Sequence, residues 1–313
     1  MCTYILRRMV SAIAVMAMVG IFIFVLLRLA PGDPAAIMAG RNATAEAIAG
    51  IREQLGLNEP LPVQFMLWVS SMLHGDFGTS IFSGRPVFEL VLQRLEPTLS
   101  LSLMTLALSV TLGVSLGVLA AWRAGGLLDR TLTLFATLGY SVPVFVVGYF
   151  LVYLLAIGAG WLPVQGYVQI ENGLGGWFAH LVLPTVTLSL PYIALIARIT
   201  RASMLEVLSE DYMRTAAAKG ASAYAMLVHH ALKNAGVPIL TVVGLSFAYL
   251  IGGVVLTETV FNIPGVGRMV VDAVNSRDYP IIQSVLIMVS GLYVLINLAV
   301  DLAYTLIDPR IRY

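Results

Sequence analysis

Apolar residues fill six long stretches of this chain, and shorter polar segments separate them. A helix of about 20 apolar residues crosses the hydrocarbon core of a bilayer. The stretches that meet this length lie at 10–29, 97–121, 131–157, 181–199, 237–257 and 280–307. The pattern therefore predicts an all-α polytopic membrane protein with six transmembrane helices and a small helical external segment after the first helix.

Composition supports this fold class. The 313 residues are 59% hydrophobic and 11% charged, and their mean hydropathy is +0.90, whereas soluble domains carry roughly a quarter charged residues. A net charge of +1 gives no electrostatic reason to expect a nucleic-acid partner. The single cysteine, Cys2, excludes an internal disulfide.

The first apolar stretch has two interpretations. A signal peptide has a shorter apolar region, about 7–15 residues, followed by a small-residue cleavage site. Here the stretch continues to Arg28-Leu29-Ala30-Pro31-Gly32-Asp33-Pro34. This favours an uncleaved first transmembrane helix within 1–30.

Residues 31–94 form a polar segment that we expect to lie outside the membrane with helices of its own. Thr44 is a suitable cap for a helix that Gly56 ends. The stretch 64–73 is too short to span, Gly75–Ser80 is a turn, and Pro86 begins a short helix that reaches Leu95. The segment is either a platform at the mouth of a pathway, contacting an external protein, or a folded spacer.

A second polar island lies at 209–238 and predicts two short helices. Ser209 is the predicted cap of the first helix, and Gly220 is its left-handed stop. Ser222 is the predicted cap of the second. The apolar residues expected to share one face of that second helix are Tyr224, Leu227, Val228, Ala231 and Leu232.

Lys and Arg in the short loops predict the orientation. The Lys and Arg residues near both termini, at 123–130 and at 198–233 fall on one side of the membrane. The loop at 158–180, on the other side, has no Lys or Arg. Both termini and the 209–238 island are therefore predicted to be cytoplasmic, as is the tail at 308–313.

Several small or helix-breaking residues interrupt the predicted spans. Pro143 must loosen the third span, because proline lacks a backbone donor. It is either a tolerated membrane proline or a kink that lines a pathway. Small residues in the fifth span permit close helix contact. The kink and pathway candidates are Pro143, Gly244, Gly252 and Gly253.

The island at 209–238 carries a specific resemblance. Its string Asp-Tyr-Met-Arg-Thr-Ala-Ala-Ala-Lys-Gly at 211–220, with the later His-Ala-Leu-Lys-Asn-Ala at 230–235, resembles the cytoplasmic coupling ("EAA") loop of ABC-transporter permeases. Arg214 stands where the general pattern has Glu, and Lys233 where it has Pro. Both departures are typical of the dipeptide/oligopeptide/nickel branch of these permeases. Three other parts of the chain also resemble this branch: the segment after the first span, the loop at 258–279 and the C-terminal tail.

The resemblance implies a type I ABC importer permease fold, with 95–307 as the transmembrane domain. It implies a second, homologous permease subunit that completes the pathway. Two ATP-binding ABC subunits would dock on the cytoplasmic side, and an external solute-binding protein would deliver substrate. The location implied is a bacterial inner membrane. The residues implied to couple to the ATPases are Asp211, Tyr212, Arg214, Thr215, Ala216, Ala218, Lys219, Gly220, His230 and Asn234.

The sequence contains no phosphate-binding loop of the G-x-x-x-x-G-K-[ST] type, so we predict no ATPase activity in this chain. His229 and His230 are adjacent and do not form a metal pair on a helix. No cofactor or metal is predicted.

Peptides are the favoured cargo, while nickel, glutathione-like and sugar cargo remain open.

Two alternatives from other classes are an ion-coupled secondary carrier or channel and a structural anchor without a pathway. Ionisable groups within a membrane are usually functional. Asp301 is the exception in spans that are otherwise nearly free of charge, and it lies near the end of the sixth span. That position favours a structural role and argues against ion coupling.

Overall fold

The computed structural model describes residues 2–29, 33–39, 44–54 and 56–307, and all of the long regular elements are helices. The predicted tail at 308–313 lies outside the described residues. Within these described ranges the α-helices follow one another in the order α1 (Cys2–Leu29), α2 (Pro34–Ala39), α3 (Ala45–Gln54), α4 (Leu61–Leu73), α5 (Val87–Trp122), α6 (Leu127–Ser141), α7 (Val144–Leu151), α8 (Leu174–Leu208), α9 (Asp211–Ala218), α10 (Gly236–Gly253), α11 (Val255–Val260), α12 (Val266–Ser276) and α13 (Tyr279–Ile307).

Helices α1, α5, α8 and α13 are each long and apolar enough to cross a membrane. Two further pairs of helices are each long and apolar enough if the pair counts as one bent span, which brings the number of possible spans to 6. The first pair is α6 with the helical turns Val144–Gly158, bent by 99°. The second is Ala225–Leu232 with α10, bent by 71°. The predicted six spans agree with this number.

Proline acts differently at different positions. The predicted break between a helix ending at Leu95 and a span beginning at Pro97 is wrong, because α5 runs without interruption through Pro97. Pro184 and Pro191 likewise lie inside the continuous α8. At Val142–Pro143, in contrast, the backbone is extended, which ends α6 and begins α7.

The chain divides into two compact units. The first comprises 1–95 and 268–294. Within it, Phe24 of α1 contacts Phe65 and Trp68 of α4, with ring centroids 5.3 and 5.8 Å apart. The Ser80 hydroxyl donates to Asp278 Oδ2 at 2.6 Å, and the Ser284 hydroxyl donates to the Phe77 carbonyl at 2.6 Å. These two bonds fasten the 76–81 turn to the start of α13.

The second unit comprises 96–267 and 295–313 and is built around α8. Gly113 and Gly117 of α5 lie directly against Ile196 and Thr200 of α8, where an added Cβ would come within 2.8 Å and 2.6 Å of side-chain atoms. Glycines four residues apart allow this close helix approach in membranes. The buried core between α8 and α10–α11 includes Leu181, Leu183, Leu188, Leu250, Val254, Phe261 and Ile263.

The predicted caps of the 44–56 segment are confirmed. The Ala47 amide donates to Thr44 Oγ1 at 3.3 Å, and Gly56 has a φ of +62°.

The loop between Gly158 and α8 is fixed to the second unit through Tyr167. Its hydroxyl donates to Glu96 Oε1 at 2.9 Å, and the same oxygen accepts from the Ile170 amide at 2.9 Å. Burial raises the pKa of the Tyr167 phenol. The phenol therefore keeps its proton, and this hydrogen bond, at neutral pH.

Candidate functional site

The candidate site is the segment between α8 and α10, and its first half is α9. Asp211 lies in the first turn of α9, where the helix dipole favours a negative charge. Ser209 does not cap this helix as predicted. It follows Leu208, the last residue of α8, as the C-cap of that helix, and its hydroxyl donates to the Glu206 carbonyl at 2.7 Å. Glu210, in an extended conformation, takes the cap position instead.

The end of α9 is a Schellman turn around Gly220. The Gly220 amide donates to the Ala217 carbonyl at 2.9 Å, and the Ala221 amide donates to the Ala216 carbonyl at 3.2 Å. Gly220 has a φ of +84°, a conformation that glycine adopts without strain. A Cβ at this position would meet no atom within 4 Å, so the requirement for glycine comes from the backbone alone.

The second half of the site begins at Ser222, whose hydroxyl accepts from the Ala225 amide at 3.3 Å, as predicted. The following turns, Ala225–Leu232, are a π-helix. The wider winding of a π-helix changes which residues share a face. The prediction that Tyr224 lies on the apolar face is therefore wrong: Tyr224 is 68% exposed, whereas Ala231 is fully buried.

Both halves of the site rest on one buried cluster. Met213 is 1% exposed, and Ala231 and Ala235 are fully buried or nearly so. They pack with Met204 from α8 and Ile239 from α10. The site is thus attached to two spans through the inward face of α9.

The opposite face of α9 is exposed and carries most of the predicted coupling residues. The exposed ones are Asp211, Tyr212, Arg214, Thr215, Ala218, Lys219 and Gly220, with Ala216 half-buried beside them. Asp211 and Arg214 form an ion pair at 3.4 Å with side chains 95% and 80% exposed, so it adds little stability.

His230 and Asn234 lie in the second half of the site. The Asn234 side chain donates to the His230 carbonyl at 2.7 Å, and the His230 side chain is half-buried. The neighbouring His229 ring meets Tyr224 edge-on at 5.9 Å. Over the part of the chain that the structure describes, no group of three or more His, Cys, Asp or Glu side chains is arranged to hold a metal ion.

A buried ion pair next to the site was not predicted. Arg201 Nε and Nη2 donate to the two carboxylate oxygens of Asp129 at 2.5 and 2.8 Å, and Asp129 also accepts from the Gly125 amide at 2.9 Å. The Asp129 side chain is 6% exposed and that of Arg201 33%. The pair ties the first turn of α6 to α8, two turns before the end of α8. The sequence shows both charges but does not show that they meet.

We expect Arg201→Met to destabilise the protein by about 3 kcal/mol, because it leaves a buried carboxylate unpaired. Asp129→Asn should cost less, about 1 kcal/mol, since an amide oxygen still accepts and Arg201 reaches solvent. Thermal unfolding of the purified protein in detergent measures both. Arg214→Met, which breaks an exposed ion pair, is the control and should not change the midpoint. Equal effects of Arg201→Met and Arg214→Met would contradict this assignment.

A second unpredicted feature is the fully buried Glu258 of α11. Thr98 Oγ1 donates to its Oε1 at 2.6 Å and accepts from the Val266 amide at 2.8 Å. Gly265 and Gly267 lie against the same carboxyl group, and a Cβ on Gly265 would overlap it. The Asn-Ile-Pro-Gly-Val-Gly turn at 262–267 is therefore wrapped around one carboxyl group.

The remaining predicted candidates lie within the second unit. Gly244 of α10 faces Val300 of α13, and a Cβ there would come within 2.5 Å of Val300 Cγ2. A Cβ on Gly252 would meet nothing within 4 Å. Gly253 is the last residue of α10, and Pro143 lies at the 99° bend between α6 and α7. Their predicted part in a pathway remains a prediction.

An exposed helical loop lies between two of the possible spans, as the predicted importer permease requires. The family described as "Binding-protein-dependent transport system inner membrane component" matches residues 113–313, and the N-terminal region of such membrane components matches residues 1–102. The chain belongs to this family. It is the membrane permease subunit of an ABC importer and a multi-pass protein of the inner membrane.

Named relatives match the chain over its whole length. A probable peptide ABC transporter permease protein of Sinorhizobium fredii is 74% identical over 313 residues, 100% of both chains. A glutathione transport system permease protein of Salmonella typhimurium is 42% identical over 313 residues, again 100% of both. Neither relative is named as an ion-coupled carrier or a channel.

A solved structure shares the fold. The MetNI methionine ABC transporter in an inward-facing conformation matches with a TM-score of 0.56 and 18% identity, over 71% of this chain and 97% of that chain. A second crystal form gives a TM-score of 0.58. The predicted type I importer permease fold is therefore confirmed.

Proposed function

We propose that this permease takes part in the ATP-driven uptake of di- and oligopeptides or glutathione-like peptides. The names of the relatives at 74% and 42% identity refer to peptides and to glutathione, and these names favour peptide cargo over nickel or sugars. The pathway would lie between this chain and a second, homologous permease subunit. An external solute-binding protein would deliver the peptide.

We further propose that α9 docks on a cytoplasmic ATP-binding subunit, one of two in the transporter. This proposal is based on the difference in exposure between the two faces of α9. Met213 is 1% exposed and fixes the helix to the spans, while Tyr212 and Arg214 on either side are exposed. A partner that moves the exposed face would move α8 and α10 with it, because Met213 belongs to the buried cluster that also contains Met204 of α8 and Ile239 of α10.

The small side chains of α9 suit such a docking helix. Ala216, Ala217 and Ala218 leave a flat surface that allows a second protein surface to approach closely. Lys219 adds one positive charge at the end of the helix, where the dipole favours it. The distribution of Lys and Arg supports a cytoplasmic position for this loop and for both termini.

Purification of the tagged chain from its native membrane in mild detergent, followed by mass spectrometry, tests the proposed assembly. We expect a second permease and P-loop ATPases to copurify. The purified assembly should take up a labelled dipeptide in proteoliposomes only with ATP and the binding protein. Uptake by this chain alone, driven by an ion gradient, would contradict the proposal and favour a secondary carrier.

A further inference from the structure

The first unit contains a large cavity that the proposed coupling mechanism does not use. Its volume is about 660 Å³, and its walls come from the end of α1, from Glu53 and 56–59, from α4, from the 76–81 turn and from the start of α13. Pockets that bind small molecules commonly measure about 300–1,000 Å³. The cavity is therefore large enough for a short peptide.

Two polar atoms on its walls are buried without a partner among the described residues: Gln64 Oε1 and Arg28 Nε. Gln64 is 8% exposed. Its amide nitrogen already donates to the carbonyls of Leu57 and Glu59, at 3.1 and 2.7 Å, so its orientation is fixed and its oxygen is available as an acceptor. Gln64 Oε1 is therefore available to accept a hydrogen bond from a bound molecule, and Arg28 Nε is available to donate one.

The charges on the walls have both signs. Arg28 lies over the Phe24 ring, 4.9 Å from the guanidinium carbon to the ring centre, which holds the guanidinium in place. Glu53, Glu59 and Asp76, whose side chains are exposed, add negative charge to the lining. A ligand that matches these walls has an anionic end and a cationic end.

The cavity also has an apolar wall, formed by Leu67, Trp68, Phe77 and Tyr279. An anionic phospholipid would place its headgroup among three carboxylates, and a divalent cation would leave Arg28 without a role. A zwitterion with apolar side chains has a partner for each part of the lining: an anionic group for Arg28, a cationic group for the carboxylates and apolar groups for the apolar wall.

We propose that this cavity binds a free short peptide, with the peptide's α-carboxylate at Arg28 and its α-ammonium group facing the acidic side chains. Gln64 Oε1 accepts a hydrogen bond from the peptide's amide or ammonium group, and the apolar side chains lie against Trp68. The 31–94 segment thereby holds a ligand site of the permease itself. This proposal rests on the proposed function in one respect, the peptide nature of the cargo.

Photolabelling of the full-length chain in lipid nanodiscs tests this site. The probe is the dipeptide alanyl-photoleucine, and mass spectrometry locates the adducts. We expect adducts within 64–76 and 279–284 that unlabelled alanyl-leucine removes. The N-acetylated and the C-amidated dipeptides should compete about tenfold less well, since each lacks one charged end.

Two neighbouring serines of α4 provide matched variants. Ser71 lines the cavity and Ser70 does not, and both are exposed. Ser71→Trp fills the cavity and should abolish the specific adducts, while Ser70→Trp should keep them. Arg28→Gln should remove the preference for a free carboxylate over an amide, and Arg28→Lys should retain it.

Equal labelling of Ser71→Trp and Ser70→Trp would overturn the proposal. Competition by calcium chloride or by anionic phospholipid equal to that of alanyl-leucine would overturn it too. Uptake of alanyl-leucine by the complete transporter is measured in parallel. Uptake without adducts would remove only the cavity assignment, whereas adducts without peptide uptake by the intact transporter would remove only the import assignment.

Discussion

Gly220→Glu should leave the protein folded and inserted but should reduce ATP-dependent peptide uptake by at least about tenfold. Gly220 ends α9 with a φ of +84°, which costs a residue with a side chain roughly 1 kcal/mol. This cost is small for a protein of 313 residues, and the new side chain meets no atom of this chain within 4 Å. The added bulk and negative charge would instead meet the docked ATP-binding subunit.

Transport assays in proteoliposomes, together with the ATPase rate, measure this effect. We expect ATP hydrolysis to continue without uptake, or to fall together with the loss of the copurifying ATPase. Gly175→Glu is the matched control, because Gly175 is also exposed and also has open space around it, but it lies at the first turn of α8. Normal uptake by the Gly220→Glu variant would contradict the coupling role of α9.

Gly265→Ala should strongly reduce the yield of folded protein. A Cβ at this position would overlap the carboxyl group of Glu258. A glutamate at a surface could swing aside, but Glu258 is fully buried and bonded to Thr98. We therefore expect a destabilisation of about 3 kcal/mol or more, at the upper end of what overpacking costs.

The thermal midpoint and the monodisperse fraction in size-exclusion chromatography report this loss. Gly252→Ala is the control and should be nearly neutral, because a Cβ there meets nothing within 4 Å. Glu258→Ala removes the obstructing group, so the double variant should be less destabilised than the sum of the single variants, by about 1–3 kcal/mol. Additive effects would show that Gly265 does not contact Glu258 in the folded protein.

The apolar pattern predicts the long helices because burial in lipid requires length and hydropathy, and both can be read along the chain. Local chemistry also predicts single turns correctly where the partners are close in sequence, as at Thr44, Gly220 and Ser222. Ser209 shows the limit of such reasoning. Its residue type fits an N-cap, but α8 continues beyond the apolar stretch to Leu208, which makes Ser209 the C-cap of α8 instead.

Periodicity fails where the helix type changes. Tyr224 would share a face with Ala231 in an α-helix, but the π-helical turns at 225–232 change which residues share a face and leave Tyr224 exposed.

Partners that are distant in sequence are harder still to predict. Nothing near Asp129 indicates Arg201, and nothing near Glu258 indicates Thr98, since helix packing brings each pair together. The cavity walls near Arg28 and Gln64 depend on packing in the same way.

The most direct test of the coupling role is photocrosslinking from position 212 in native membranes. Tyr212 is 45% exposed on the outer face of α9, so replacing it with benzoylphenylalanine leaves the Met213 anchor intact. The control is the same substitution at Tyr249, which is 63% exposed within α10. We predict a crosslink from position 212 to a P-loop ATPase and none from position 249. Crosslinks from position 212 only to lipid, or to another copy of this chain, would contradict the account.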